Sequence, residues 1–325
     1  MILLTGATGL LGHYLTEALL AAGHPLRLLV RNPEQSPQLR ASGRVEVAEG
    51  HILDSLALEQ ALSGVSAVVH AAGLVSFHRQ DRSRVMQVNA GGTARMVDAC
   101  LMAGVPRFIH LSSVSAIGPA LKGQPATEQT AWQEGKVEST YARSKRRAEL
   151  EVYRGIAEGL EAAILNPSVV LGYAGDWERS SARLFATAAR GLRVYLDGYT
   201  SLVAAEDVAA AVVALLATDP FPSGERYVLA AASWPTQQVL SRMAAAAAAA
   251  GGAGPTTRLP GWLALTAAWL SERLLGRRSA LTVEAIRAGL STQTYDGSKA
   301  TQLGLAYTPP EEAIARLAKL WQQTT

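Results

Sequence analysis

Residues 1–12 read MILLTGATGLLG, an apolar run over Met1 to Leu4 that gives way to a loop with glycines at Gly6, Gly9 and Gly12. A dinucleotide pyrophosphate needs such a strand-to-helix turn. Small residues let the backbone approach the phosphates, and a helix N-terminus presents free N–H groups to their charge. The following segment, Leu10 to Ala22, carries Leu11, Leu15, Ala18, Leu19 and Ala22 at helical spacing and stops at Gly23, a residue favoured just past a helix end. Glycine spacing alone is weak in a chain with 29 glycines, where a plain tight turn looks the same. Its place between an N-terminal strand and a helix favours the nucleotide reading.

The 325 residues suffice for one large domain or two ordinary ones, and 49% apolar content supports a substantial core. One cysteine, Cys100, excludes an internal disulfide, and no Cys/His cluster has zinc spacing, so a reducing compartment is expected and a structural metal is not. A first strand starting at Ile2 leaves no room for a signal or transit peptide. The apolar stretches around Ala244 to Ala250 and Trp262 to Leu270 fall short of the roughly 20 residues that cross a bilayer. The expectation is a cytoplasmic protein without a transmembrane segment. The net charge of +3 and pI near 9.1 come from scattered basic residues, not a stripe, so a small-molecule substrate is the expected partner and nucleic acid is not. A homodimer is left open as an expectation, since the sequence does not reveal oligomeric state.

Strand-like runs at Leu26 to Val30, Val45 to Ala48, Ala67 to His70, Phe108 to Leu111 and Ala162 to Leu165 alternate with helix-like stretches at Leu56 to Leu62, Val85 to Ala103 and Tyr141 to Glu158. Such alternation implies right-handed crossovers and a doubly wound parallel sheet, an α/β Rossmann fold. Residues 1–167 are expected to form the dinucleotide-binding domain, with a return segment near 200–217 in which Asp207 caps a helix ended by Pro220 and Pro222. Residues 168–199 and 218–325 are expected to form a smaller, irregular substrate-binding region. Within it, the alanine-rich run Met243 to Pro255 reads as a helix followed by a flexible connection. Trp262, Leu265, Trp269, Leu270 and Leu274 make a stripe near Glu272, Arg273, Arg277 and Arg278. The stripe suits a membrane-surface helix, but packing on the domain or roofing a pocket is the commoner use of such a pattern.

Tyr141 and Lys145 stand four apart in YARSKRRAELEVYRGIAEGL, so a helix puts both side chains on one face. A tyrosine beside a lysine ammonium is a plausible acid–base pair: the ammonium, helped by a positive nicotinamide ring, would lower the phenol from its ordinary value of about 10. A second match, Tyr295 to Lys299 in YDGSK, contains the turn signal Asp-Gly and is read as surface loop. Ser112 and Ser113 follow the strand RFIHL at the carboxyl end of the sheet, where a hydroxyl can share charge developing on a substrate oxygen.

TGATGLLG, HAAG at His70 to Gly73, VNAGGT at Val88 to Thr93, LSSVSAIG at Leu111 to Gly118, YARSK, NPSVVLG at Asn166 to Gly172 and VAAEDVA at Val203 to Ala209 together resemble the extended short-chain dehydrogenase/reductase superfamily. Within it the chain is similar to NAD-dependent epimerase/dehydratase proteins and to the dihydroflavonol-reductase and 3β-hydroxysteroid-dehydrogenase branch. The resemblance implies that Ser113 and Tyr141 are catalytic and that Lys145 both tunes Tyr141 and holds the nicotinamide ribose. It places the cofactor against Gly6, Thr8, Gly9, Leu10, Leu11, Gly12, Arg31, Ile52, Ala71, Ala72 and Gly73, with Pro167 and Val170 bordering the nicotinamide. Three positions depart from the family pattern: His51 replaces the usual adenine-reading Asp, Asn166 replaces an Arg, and Gly118 stands where plant dihydroflavonol reductases read flavonoid hydroxyls with Asn.

Arg31, directly after LRLLV, suits a 2′-phosphate and favours NADP, while Glu34 nearby keeps NAD as the alternative. The favoured activity is reduction of a carbonyl, or oxidation of the alcohol, of a small hydrophobic substrate. The alternatives are a nucleotide-sugar epimerase/dehydratase, with Arg179, Arg183 and Arg190 as candidate diphosphate ligands, and a non-catalytic dinucleotide-sensing regulator. Trp177, Leu184, Phe185, Trp262 and Trp269 are expected to supply apolar material for the substrate pocket.

Overall fold

A computed structural model describes residues 1–35, 44–135, 139–179, 181–248, 254–276, 279 and 281–324. The chain begins with β1 (Ile2–Thr5), α1 (Leu10–Ala21), β2 (Leu26–Val30), β3 (Val45–Glu49), α2 (Ser55–Leu62) and β4 (Ala67–His70). It continues through α3 (Arg82–Met86), α4 (Gly92–Ala103), β5 (Arg107–Leu111), α5 (Thr140–Ala157), β6 (Glu161–Pro167), β7 (Val169–Leu171), α6 (Ala182–Ala189) and β8 (Val194–Tyr195). The remainder is β9 (Tyr199–Ala204), α7 (Ala205–Ala217), β10 (Arg226–Leu229), β11 (Ala232–Pro235), α8 (Thr236–Ala247), β12 (Thr257–Arg258), α9 (Gly261–Leu275), α10 (Val283–Gly289) and α11 (Pro310–Thr324).

Seven parallel strands lie in the order β10-β6-β5-β4-β1-β2-β3. The interior strands are apolar along their length because helices cover both faces, which is why they read as continuous apolar runs. On one face Leu15 and Leu19 of α1 pack with Val208, Val212 and Leu215 of α7. On the other, Leu58 and Leu62 of α2, Met96, Val97 and Cys100 of α4 and Val152 of α5 close the second layer. The chain runs outward from β1 through β2 to β3, then crosses back to β4. The carboxyl ends of β1 and β4 therefore flank the switch point where ligands bind in such sheets.

Several elements differ from expectation. The helix read over Val85 to Ala103 is interrupted by a π-helical turn, Gln87–Gly91, which separates α3 from α4. The return to the sheet extends beyond 200–217: α7 packs on α1, but the strand that joins the sheet is β10, within the stretch assigned to the substrate region. Helix α7 starts at Ala205, and Asp207 does not cap it. Its carboxylate instead accepts hydrogen bonds from Thr308 N at 2.9 Å and Thr308 Oγ1 at 2.8 Å. Strands β7, β9 and β11 form a second sheet, above which Phe185, Met243, Ile314 and Leu317 make a separate core. The connection expected after the alanine-rich helix falls largely on residues 249–253, and Arg277 and Arg278 likewise lie outside the described residues.

Candidate active site

The turn after β1 is built from glycines that admit no side chain. Gly6 has φ +75°, and a Cβ there would lie 2.7 Å from Ala72 N and 2.8 Å from the Ala71 carbonyl carbon; at Gly12 it would run into the carbonyl oxygen of Gly6. Gly9 differs: it is exposed at the N-cap of α1, and its Cβ would meet only Gly6 O, at 3.3 Å. The first turn of α1, Leu10 onward, has no side-chain cap and no acidic residue, so its N–H groups face outward beside exposed Thr8. A pyrophosphate fits this cradle in both shape and charge.

From there Arg31, Asn32, Glu49, Gly50, His51 and Asp54 line a cleft of about 680 Å³ at the carboxyl ends of β2 and β3. Its carboxylates are Glu49 and Asp54; Glu34 is exposed and outside the lining. Asp54 caps α2 by accepting from Leu56 N and Ala57 N. His51 Nδ1 accepts from Leu53 N at 3.0 Å, and burial, then the Arg31 and Arg84 charges, lower its pKa. Ile52 is buried and packs so closely on Gly92 that a side chain there would clash.

At the other end of the site, Ser113 begins a short 3-10 turn after β5 and Tyr141 opens the first turn of α5. Burial raises the Tyr141 phenol above its ordinary value, and its contact with the Ser113 side chain opposes that rise. Lys145 is 6% exposed, its Nζ donating to Leu111 O at 2.8 Å, and burial lowers it to about 8 against the opposing pull of Glu149. Burial and the Ser113 contact, not the Lys145 charge, set the direction of the Tyr141 shift, so the expected lowering of the phenol by the ammonium does not show in this structure. Gly73 abuts this group: a Cβ there would stand 3.5 Å from Lys145 Nζ. At the end of β6, the buried Asn166 Oδ1 and Ser168 Oγ have no hydrogen-bond partner and flank Pro167. Val170 follows in β7 and accepts from Ser181 Oγ.

Three supporting groups escaped the sequence reading. Asn89, in the π turn, donates from Nδ2 to Leu74 O and to Ser144 Oγ and accepts at Oδ1 from Leu74 N at 2.7 Å, tying the loop after β4 to α5. Thr93 Oγ1 donates to Asn89 O and so accepts from His70 Nε2, leaving His70 Nδ1 to accept from Thr5 Oγ1, which in turn accepts from Ala72 N. This chain of bonds keeps His70 neutral; burial, then the Lys145 charge, push its pKa down to about 3. Glu149, 0% exposed and one turn beyond Lys145, accepts from Ser112 Oγ at 2.7 Å and Asn166 Nδ2 at 2.6 Å and pairs with Arg226 at 3.2 Å and Arg146 at 3.5 Å. Asn166 also donates to Ser113 O at 2.9 Å, so the carboxylate braces the serine through one intermediary.

Other expectations are corrected. Tyr295 is not surface loop: it bridges Ala126, and burial raises its phenol to about 12. Lys299 turns away to Glu225 Oε2 at 2.5 Å and Arg226 O at 2.8 Å. Trp177 and Phe185 are buried in the second core against Trp321, while Trp262 and Trp269 are 70% and 55% exposed. Arg179 pairs with Asp176 and Arg190 with Glu178. Gly118 lies so close to Ala131 O and Trp132 Cα that no Asn fits there. Among the described residues no group of three or more His, Cys, Asp or Glu could hold a metal, and no helix is long and apolar enough to cross a membrane.

The switch-point sheet, the glycine cradle and the Ser113, Tyr141, Lys145 cluster define a dinucleotide-binding α/β protein of the extended short-chain dehydrogenase/reductase type. The model of the NAD dependent epimerase/dehydratase family matches residues 2–230, and the chain belongs to that family. A protein of Synechocystis sp., provisionally named a dihydroflavonol 4-reductase, is 30% identical over 96% of this chain and 91% of its own. Sterol demethylase protein B of Methylococcus capsulatus is 32% identical over 96% of this chain and 95% of its own. Among solved structures, UDP-glucose 4-epimerase of Thermus thermophilus in complex with NAD superposes with a TM-score of 0.77 at 23% identity, covering 100% of this chain and 99% of that one.

Proposed function

We propose that the protein reduces a carbonyl group of a small hydrophobic substrate, or oxidises the corresponding alcohol, with NADP as its cofactor. The observation that carries this reading is the meeting of Ser113 and Tyr141, with Lys145 one turn along the same helix face, at the carboxyl end of β5. The nicotinamide, when bound, supplies or accepts the hydride. Ser113 Oγ donates a hydrogen bond to the carbonyl oxygen and disperses charge that grows on it. Tyr141 gives that oxygen its proton, and Lys145, cationic below about pH 8, stabilises the phenolate left behind. Pro167 and Val170 would border the ring, and Ala71, Ala72 and Gly73 the path to it.

Exposed Arg31, which has no carboxylate partner among the described residues, supports NADP through charge-assisted bonds to a 2′-phosphate. The name of the Synechocystis relative supports a reductive reaction, and that of the Methylococcus relative an apolar, sterol-like substrate. An epimerase/dehydratase acting on a nucleotide sugar is the second reading, favoured by the family match. Against it, two of the three candidate diphosphate ligands, Arg179 and Arg190, are engaged in local ion pairs, which leaves exposed Arg183. The test is Tyr141→Phe. It should bind NADPH as the parent does and turn over no carbonyl substrate, whereas retained turnover would remove Tyr141 from the chemistry.

A further inference from the structure

We propose that α9 docks the protein onto an anionic phospholipid bilayer, lying in the plane of the interface beside the active site. Only Ala264 and Ala268 of this helix are buried. The opposite face presents Trp262 at 70% exposure, Leu263 at 43%, Trp269 at 55%, Leu270 at 48% and Leu274 at 72%. At 100° per residue these fall on one side of the helix together with Thr266 and Arg273. Glu272, the helix's one acid, lies toward the half-buried flank. So much contiguous apolar surface on a single helix face marks a place that something covers. Two indole rings on that face, with a polar N–H on an apolar body, suit the headgroup boundary.

Charge decides between a bilayer and a second copy of the chain. Arg273 is exposed and sits 5.7 Å from the Trp269 ring. At the carboxyl end of α9, Gly276 approaches Gln80 Nε2, which belongs to a segment carrying exposed Arg79, Arg82 and Arg84. Arg82 is paired with buried Glu284, and half-buried Asp81 accepts from Ser76 Oγ, so the exposed charge of the segment is that of Arg79 and Arg84. Two such faces brought together would set arginine against arginine, whereas anionic headgroups complement them. With 15 residues α9 is too short to cross the bilayer and suited to lie along it.

The surface is coupled to the site. Ala264 and Ala268 pack on Ile286 of α10. From α10, Glu284 accepts from Thr140 N and Thr140 Oγ1, each at 3.2 Å, and from Ser139 Oγ at 3.3 Å, the residues immediately before Tyr141. On the functional reading above, a bilayer-dissolved carbonyl compound would meet the catalytic helix one helical hairpin from the lipid.

The test is sedimentation of the full chain with vesicles of phosphatidylcholine alone or with phosphatidylglycerol, without substrate or cofactor. Binding to the phosphatidylglycerol vesicles is expected, weaker in high salt and weaker on neutral vesicles. Trp262→Ser with Trp269→Ser should reduce it about tenfold or more at unchanged thermal stability and NADPH affinity, since both rings are solvent-exposed. Arg273→Glu should weaken only the anionic component. Absence of binding, equal binding by the double variant, or a dimer that the double variant dissolves would each overturn the proposal. Vesicle binding with no reductase activity would instead overturn the functional reading alone.

Discussion

Replacing Glu149 probes how the site is held, because that carboxylate touches no reacting atom yet four groups converge on it. Glu149→Leu would leave Arg226, whose side chain is 12% exposed, without its counter-ion and strip Ser112 and Asn166 of their acceptor. Breaking a buried pair from one side costs about 3–5 kcal/mol. With an unfolding entropy of about 2.1 cal/mol/K per residue, 325 residues give roughly 0.7 kcal/mol/K, so the midpoint should fall by about 4–7 °C. Glu149→Gln, which keeps an acceptor for Ser112 and Asn166, should lose only about 1–3 kcal/mol. The Gln variant then isolates the electrostatic effect. Glu149 raises the Lys145 pKa, which burial lowers to about 8, so removing its charge should lower that pKa further and shift the alkaline limb of the kcat/KM profile to lower pH. Thermal denaturation followed by circular dichroism gives the first quantity and a pH series the second. A Leu variant as stable as the parent, or a Gln variant with an unmoved alkaline limb, would refute the bracing role.

Tyr295→Phe should leave turnover intact, and Lys145→Ala should damage both turnover and cofactor affinity; an inactive Tyr295→Phe enzyme beside an active Tyr141→Phe enzyme would reverse the choice of pair. Arg31→Ala should weaken NADPH by about 10- to 150-fold, the roughly 1.5–3 kcal/mol of a charge-assisted contact, and leave NADH nearly unchanged in a fluorescence titration. Equal weakening of both would make Arg31 structural. His70, held down at about 3, and His110, held well below its ordinary value of 6.5, stay neutral in the fold while the unfolded chain takes up protons. Stability should thus be full above pH 6.5 and fall below it by about 2.7 kcal/mol per pH unit, because the unfolded state binds two more protons. Urea midpoints that are flat from pH 7 to 5 would contradict this, and His110→Leu, which removes a ring with neither nitrogen bonded, should halve the slope.

The sheet was legible because strands buried on both faces must be apolar throughout, and the cradle because Gly6 and Gly12 admit no side chain. Tyr141 and Lys145 were legible through the four-residue spacing of one helix face. Glu149 was not: an acid in a run of arginines reads as a solvated charge, and only the fold brings Asn166 of β6 and Arg226 of β10 to it. Strand β10 was missed because four residues after a proline-rich turn carry little pattern, and Asn89 because a π turn has no period of its own. The α9 stripe leaves packing, a pocket roof and a membrane surface all open, since periodicity reports that a face is apolar and not what covers it.

Carbonyl reduction is tested most directly by following the nicotinamide absorbance while the protein is incubated with NADPH and a panel of aldehydes, ketones, 3-ketosteroids and nucleotide sugars, with the products analysed in parallel. A reductase consumes one NADPH for each alcohol formed, whereas an epimerase returns its hydride to the same substrate. The account predicts stoichiometric loss of NADPH with a hydrophobic carbonyl compound. Conversion of a nucleotide sugar at constant absorbance would contradict it.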